Sequence, residues 1–513
     1  MECNRLFFAS LSAALWSLGS GTAATAAVLT DTNFNSTSVG NTPSTYTVSE
    51  AGGTVRIAAS PSSANRSAYL NDTSTSTLVQ MNKTFAAQSG KVDAEFKFMQ
   101  PTLVNNTKVF RLLSGTTPAV AIETISGALQ LRTGASSYIN IHSGYQANRW
   151  YALRVIADAS TDTADVYIDG VKRVTAGAFY NAASLLDGFD SFTPNTSAGS
   201  HYIDDVVIKS VTTAIPGGAS VVDFNGSGSY TTVTAAIAAI PANNTTPRVI
   251  YVKNGTYNEK LTFPADKQNI TLIGQSVTGT ILSFNDTAST AGGTTNSSSV
   301  FVRGNGFTAK NITFRNTAGQ TAGQAVALYV SADRAAFYNI RALGWQDTLY
   351  STSSGRHYFR DSYIEGSVDF IFGSATAVFE SCEIKNLSGG YVTAASTDQT
   401  TPNGYVFINS GLTRAGSLDD AVDLGRPWRP YSSVTYLYTW IDTHIRPGGW
   451  NNWGNAANEG TARYSEHGNS GPGASTSARV GWSHVLTASQ AAAINTQSVL
   501  AGSDGWNPAA LDP

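Results

Sequence analysis

The sequence predicts an all-β protein in which a right-handed parallel β-helix follows an antiparallel β-sandwich of the jelly-roll type. Composition is the first indication: only 13% of the 513 residues are charged, and β-branched and aromatic residues recur at strand-like spacing between polar breaks. The second is a change from long alternating segments in the N-terminal part to short β runs in the C-terminal part. A chain of this length is expected to form two domains.

Residues 1–26 are predicted to be a signal peptide. Arg5 opens an apolar run that extends from Leu6 to about Leu18, and the small residues at 24–26 suit a signal-peptidase site. We therefore expect a secreted, extracellular protein. No other segment approaches the ~18 uninterrupted apolar residues of a membrane span, so no membrane attachment is expected after cleavage. Cys382 is then the only cysteine, which excludes an intrachain disulfide.

Residues 27–211 are predicted to form the β-sandwich. Segments such as "KVDAEFKFMQ", "YALRVIAD" and "YIDDVVIKS" alternate apolar and polar residues, as expected for antiparallel sheets with one solvated face. The strand pair around "DASTDTADVYIDG" resembles the laminin-G or concanavalin-like jelly roll. A linker is predicted at 212–220, "TTAIPGGAS", because Pro216 and two glycines interrupt any regular element.

Residues 221–513 are predicted to form the β-helix. Short β runs such as "NITLIGQSV", "NITFRNTAG" and "VFESCEIKN" recur at roughly one coil per 20 to 30 residues. Phe337, Phe359, Phe379 and Phe407 follow one another at steps of 22, 20 and 28, which predicts an aromatic ladder inside the solenoid. The helical pattern at 230–241 is expected to cap the open end of the apolar core.

Two acids in apolar surroundings mark the predicted chemistry. Asp347 lies in "GWQDTLY" and Asp369 in "SVDFIFG", one 22-residue step apart, and Gln324 precedes Gln346 by the same step. Since adjacent coils are about 4.8 Å apart, two acids and two amides would form one cluster. Burial and like-charge repulsion would keep one acid protonated beside an ionised neighbour, which suits acyl or glycosyl transfer. The alternative is that both aspartates only stabilise turns.

The C-terminal part resembles the pectin methylesterase family. From about residue 223 onwards it contains, in order, "GSGSYTTVTAAIAAIP", "VIYVKNGTYNEKLTF", "ITLIGQS", "GFTAKNITFRNTAG", "GQAVALYV", "GWQDTLY", "GSVDFIFG", "LGRPWRPYS" and "IRPGGWNNWG". The resemblance implies a parallel β-helix that hydrolyses methyl esters of galacturonic acid in pectin, that is, methyl-esterified homogalacturonan, without a metal or cofactor.

The resemblance also assigns roles to residues of this chain. Asp369 would be the nucleophile, and Asp347 would protonate the leaving methoxide and then activate water. Gln324 and Gln346 would stabilise the oxyanion, and Arg426 would hold Asp369 ionised. The predicted substrate-binding residues are Trp428, Tyr350, Phe372 and Thr294.

Other functional classes remain as alternatives. A β-helical pectin-cleaving glycosidase or lyase shares the fold but needs different acids, and a noncatalytic cell-wall carbohydrate-binding protein needs none. A Ser-His-Asp esterase is disfavoured because no G-x-S-x-G motif is present. The formal charge of −3 shows no basic surplus, so no nucleic-acid partner is expected. We expect a monomer.

Overall fold

The computed structural model describes residues 27–62, 65–194, 196, 198–211 and 214–511. The predicted signal peptide lies outside the described residues. The all-β prediction is confirmed: antiparallel sheets form the N-terminal part, and parallel sheets form the β-helix behind them. No helix of the described residues has the length and apolarity to cross a membrane.

The sandwich consists of two antiparallel sheets that enclose one apolar core. One sheet has the order β13-β12-β11-β6-β15-β4-β3, with β1 also paired to β15, and the other has the order β10-β9-β8-β7-β14-β5-β2. Strict alternation explains the strands: in β11 every second residue from Tyr151 is buried. The strands are β1 (Val28–Thr32), β2 (Thr47–Glu50), β3 (Gly53–Ala58), β4 (Ser67–Asp72), β5 (Val79–Gln88), β6 (Lys91–Met99), β7 (Lys108–Ser114), β8 (Thr117–Ile125), β9 (Ala128–Arg132), β10 (Tyr138–Ser143), β11 (Tyr151–Asp158), β12 (Thr163–Ile168), β13 (Val171–Ala178), β14 (Leu186–Thr193) and β15 (Gly199–Val211).

The β-helix begins at Ser220 and, within the described part of the chain, contains the remaining strands and four short α-helices. Its strands are β16 (Ser220–Val222), β17 (Arg248–Val252), β18 (Gly255–Asn258), β19 (Leu261–Phe263), β20 (Ile270–Gly274), β21 (Thr280–Phe284), β22 (Val300–Val302), β23 (Thr308–Lys310), β24 (Thr313–Asn316), β25 (Leu328–Val330), β26 (Ala335–Tyr338), β27 (Arg341–Leu343), β28 (Leu349–Ser351), β29 (Arg356–Arg360), β30 (Tyr363–Gly373), β31 (Thr376–Glu380), β32 (Glu383–Ala395), β33 (Tyr405–Ile408), β34 (Gly411–Arg414), β35 (Val422–Pro427), β36 (Ser433–Leu437), β37 (Trp440–Ile441), β38 (Arg463–His467) and β39 (His484–Val485). Its helices are α1 (Val233–Ala238), α2 (Ala288–Ala291), α3 (Ala488–Ala492) and α4 (Thr496–Leu500).

Each coil contributes strands to three faces of the solenoid. The first face is β16-β17-β20-β23-β26-β29-β31-β33-β36-β38-β39, all parallel. The second contains β18, β21, β24, β27, the first parts of β30 and β32, then β34 and β37. The third contains β19, β22, β25, β28, the second parts of β30 and β32, then β35.

The predicted aromatic ladder is present in the core. Phe337, Phe359, Phe379 and Phe407 stack in sequence with ring centroids 4.6, 4.9 and 4.6 Å apart. They are fully buried and occupy matching positions of successive first-face strands. The predicted cap is also present, because α1 buries Val233 against this core.

The sandwich packs on the corner between the first and second faces. Arg154 of β11 forms an ion pair with Asp361 (3.1 Å), and Arg360 forms one with Glu95 of β6. These side chains are largely buried, and burial raises the pKa of Asp361 to about 7. In a three-sided solenoid this corner is opposite the third face, so the sandwich leaves the third face open.

Candidate active site

A cleft of about 420 Å³ opens on the third face of the β-helix. All nine residues predicted to act in catalysis or substrate binding line it, contributed by successive coils between residues 294 and 428. These residues are Thr294, Gln324, Gln346, Asp347, Tyr350, Asp369, Phe372, Arg426 and Trp428. The stacking of coils therefore places the predicted cluster on one outer surface.

Strand register explains the aromatic floor of the cleft. Tyr329, Tyr350 and Phe372 occupy matching positions on three successive coils, followed by Ala394 and then Arg426. Core residues flank the first four of them in their strands, so these four point outwards. Arg426 lines the same cleft. The rings of Tyr350 and Phe372 stack at 4.2 Å.

Backbone conformation explains how the two acids reach the cleft. Asp347 and Asp369 have φ values of +65° and +52°, in the left-handed region that non-glycine residues rarely adopt. In β30 the register with β32 shifts around Val368, as in a β-bulge. The bulge interrupts alternation, so Phe370 and Ile371 both enter the core while Asp369 lines the cleft. Such conformations cost about 1–3 kcal/mol each, and aspartate is among the residues that adopt them most often. Asn311, Asn339 and Asn409 adopt them at other turns of the solenoid.

Gly366 permits this change of direction. A Cβ atom at this position would lie 2.2 Å from Cβ of Phe370 and 2.7 Å from the carbonyl oxygen of Trp345. Any larger residue would therefore displace Phe370 from the core, and with it the bulge that presents Asp369.

The two acids lie in different electrostatic environments. Arg426 donates two hydrogen bonds to Asp369, from Nε to Oδ1 (2.9 Å) and from Nη2 to Oδ2 (2.7 Å). Burial raises the pKa of Asp369, and Arg426 opposes that rise. Burial, followed by the charge of Asp369, raises the pKa of Asp347 to about 8. At neutral pH a protonated Asp347 therefore stands beside an arginine-paired Asp369.

Both glutamines are anchored through their backbones. The carbonyl oxygen of Gln324 accepts a hydrogen bond from the N–H of Ala288 (2.8 Å), and that of Gln346 accepts one from Ala325 (3.1 Å). The amide side chains line the same cleft as the two acids. Neutral amide donors can stabilise a developing oxyanion without neutralising a carboxylate.

Three further residues at the site escaped the sequence analysis. Thr295 and Trp453 line the cleft, and the ring of Tyr391 lies 3.8 Å from the guanidinium carbon of Arg426. Trp453 belongs to "IRPGGWNNWG" and Tyr391 to "YVTAAST". The aromatic-rich segment around Trp453 was an available signal, whereas Tyr391 lies within β32 as an isolated aromatic residue. Spacing does not indicate which side chain either ring contacts.

Comparison with known proteins identifies one family. The Pectinesterase family pattern matches residues 219–503. Pectinesterase 31 of Arabidopsis thaliana is 45% identical over 276 residues, which cover 52% of this chain and 86% of the relative. The solved structure of a pectin methylesterase from carrot has a TM-score of 0.56 and 37% identity, covering 58% of this chain and 98% of its own.

A second solved structure is that of a pectin methylesterase in complex with hexasaccharide VII. It has a TM-score of 0.51 and 32% identity, covering 57% of this chain and 99% of its own. Sequence and fold thus agree over the whole β-helix, and the chain belongs to the pectinesterase family.

Proposed function

We propose that Asp369 is the nucleophile, and Asp347 the acid and base, with which this chain hydrolyses pectin methyl esters. A carboxylate oxygen of Asp369 attacks the ester carbonyl of a galacturonate unit, and the amides of Gln324 and Gln346 donate hydrogen bonds to the oxyanion that forms. The bond to the methoxy group then breaks, and Asp347 gives its proton to the departing methoxide. The products of this step are methanol and an acyl-enzyme anhydride on Asp369.

The second half of the reaction uses the same groups in reverse. Asp347, now a carboxylate, takes a proton from a water molecule, and the resulting hydroxide attacks the acyl carbon. The anhydride bond breaks, Asp369 leaves as a carboxylate, and the galacturonic acid unit of the polymer is released. Asp347 ends protonated, so each turnover consumes one ester and one water and needs no other reactant.

The observation that carries this proposal is that two neighbouring acids lie in different electrostatic environments. One is buried with its pKa raised to about 8, and the other receives two charge-assisted hydrogen bonds from Arg426. A nucleophile must be ionised and a general acid protonated at the same pH, and the hydrogen bonds from Arg426 to Asp369 together with the raised pKa of Asp347 support this arrangement.

Pectin is the substrate that this cleft suits. The relative in complex with a hexasaccharide supports a polymeric sugar ligand. In this chain Trp428 lies beside the stacked pair Tyr350 and Phe372, at 6.4 and 6.1 Å between ring centroids. These rings would pack against the apolar faces of sugar units, with Thr294 at the edge of the cleft.

The Asp369→Asn variant tests the assignment of the nucleophile. We expect methanol release from methylated pectin to disappear, while Asp442→Asn, which alters an acid paired with Arg414 on the second face, retains it. Methanol release by Asp369→Asn at the wild-type rate would show that Asp369 is not the nucleophile. Viscosity, followed in the same reaction, separates ester hydrolysis from chain cleavage: pectin cleavage by a glycosidase or lyase would lower it without releasing methanol.

The proposal also predicts a bell-shaped pH profile for kcat/KM. Activity falls as pH decreases through the pKa of Asp369, because the nucleophile becomes protonated. It falls again as pH rises through about 8, because Asp347 loses the proton it must donate. A profile that stays flat from pH 6 to 10 would contradict the role of Asp347.

The finer assignments concern secretion and domain organisation. We expect an exported monomer that begins near Ala27, with a sandwich at 27–211, a linker at 212–220 and the catalytic β-helix at 221–513. N-terminal sequencing and light scattering of the secreted protein test the first two points.

The sandwich is proposed to attach the enzyme to plant cell-wall polysaccharide. Its position supports this, since it packs on the corner opposite the cleft and leaves the cleft open. The test is binding of the full chain to wall material from which pectin has been extracted. Failure to bind would remove the hypothesis without affecting the esterase.

A further inference from the structure

Arg426 is held between two aromatic rings. Its guanidinium carbon lies 3.8 Å from the ring centroid of Tyr391 and 3.7 Å from that of Trp453. Two rings cannot both approach one carbon so closely from the same side, so they cover opposite faces of the guanidinium plane. The edge of that plane carries the hydrogen bonds to Asp369.

Trp453 reaches this position through an unusual backbone conformation. Its φ is +62°, and its N–H donates to the side-chain oxygen of Asn451 (2.8 Å), as in an Asx turn. A bulky residue in the left-handed region is a genuine outlier and persists only when its surroundings determine it. Trp453 nevertheless remains 37% exposed, so burial in the core is not what holds it there.

Tyr391 reaches Arg426 from the opposite side because of strand register. In β32 it pairs with Val368 on one side and with Asp423 on the other. It therefore lies on the coil between the bulge that presents Asp369 and the strand that carries Arg426.

We infer that Tyr391 and Trp453 are positioning residues that hold the guanidinium plane of Arg426 edge-on to Asp369. This inference rests on the proposed function of Asp369. The side chain of arginine is long and loses considerable rotamer freedom when it is fixed. Two ring faces restrict it to the plane in which both of its hydrogen bonds to one carboxylate are aligned.

The restriction matters because Arg426 has other acids within reach. Its charge also acts on Asp347 and on Asp423, and Asp423 is paired with Arg446 at 2.9 Å. The charge of Asp369 also acts on the buried hydroxyl of Tyr464, which is hydrogen-bonded to Ser432 (3.1 Å). If the guanidinium turned towards Asp347, it would favour ionisation of the general acid and leave the nucleophile more basic, which is the wrong distribution of protons for the reaction.

The experiment compares Trp453→Leu and Trp453→Phe, with the same pair of substitutions at Tyr391, through the pH dependence of methanol release. We expect each Leu variant to lower kcat by roughly 10-fold and to move the acid limb of kcat/KM upwards by about one pH unit. The Phe variants retain a ring face and should restore most of both properties.

Tyr363→Leu is the matched control, since Tyr363 lies 5.1 Å from the guanidinium of Arg341 on the second face. It should leave the pH profile unchanged, and circular dichroism should show all variants folded. A Leu variant that raises KM but leaves kcat and the acid limb unchanged would overturn the inference, because its ring would then contact only substrate. Absence of methanol release by the wild type would instead overturn the proposed function.

Discussion

Replacement of Arg426 by Gln removes the positive charge next to the proposed nucleophile. Asp369 is 7% exposed, and its carboxylate accepts two hydrogen bonds from Arg426, at 2.9 and 2.7 Å. An adjacent arginine lowers the pKa of an aspartate by about 1–3 units, and each unit corresponds to about 1.4 kcal/mol. Loss of one partner of a buried ion pair costs about 3–5 kcal/mol.

These magnitudes define the expected kinetics. We expect kcat/KM at the optimum to fall by about 10²- to 10³-fold, the rate equivalent of roughly 3–4 kcal/mol. Arg426 lowers the pKa of both Asp369 and Asp347. Without it both values rise, so both limbs of the bell should move to higher pH, the acid limb by about 1–3 units.

The assay is initial-rate methanol release from methylated pectin between pH 4 and 10. Arg414→Gln serves as the control, because Arg414 forms a partly exposed ion pair with Asp442 (3.2 Å) on the second face. Such pairs contribute about 0–1 kcal/mol, so its profile should match the wild type. A large loss of rate in Arg426→Gln with an unmoved acid limb would refute the electrostatic role and indicate a role in substrate binding.

Three further predictions concern stability. Asp347→Asn should raise the Tm at pH 8 but not below about pH 4. The folded-state pKa of Asp347 is raised from 3.8 to about 8, so its ionisation destabilises the fold progressively across that interval. An equal gain in Tm at both pH values would contradict this. Arg154→Ala should cost about 3–5 kcal/mol in the free energy of unfolding, because it removes the guanidinium that pairs with the buried acids Asp93 and Asp361 and leaves Asp361 with Arg360 alone. Methanol release at 25 °C should persist, and an unchanged Tm would show that these ion pairs contribute little to stability. Phe359→Ala should lower the free energy of unfolding by about 3–5 kcal/mol, because it opens a cavity in the aromatic ladder. Phe224 is 52% exposed, so Phe224→Ala should lower it by about 1 kcal/mol or less. Urea unfolding measures both.

The solenoid was predictable because its signal is local and repeated. Each coil must place an apolar residue at the same point of the core, so the steps between Phe337, Phe359 and Phe379 appear directly in the sequence. The same repeat predicted that Asp347 and Asp369 would lie on neighbouring coils of one surface. The cleft contains both.

The orientation of these acids was not predictable from periodicity. Simple alternation in β30 would direct Asp369 and Ile371 to the same side, yet the bulge directs Asp369 outwards and both Phe370 and Ile371 inwards. Whether a residue adopts positive φ depends on the close approach of neighbouring coils, here at Gly366 and Trp345. That contact exists only after the coils have stacked.

By itself the sequence determined the class of each half of the chain, the coil repeat, the family and the residues that line the cleft, because all of these are encoded in local patterns and ordered motifs. Only the tertiary structure decided the left-handed turns at the two acids, the aromatic rings that enclose Arg426, and the corner on which the sandwich packs. Those features join residues from different coils or domains, and their contacts depend on strand register and on buried charges that meet only in the folded chain.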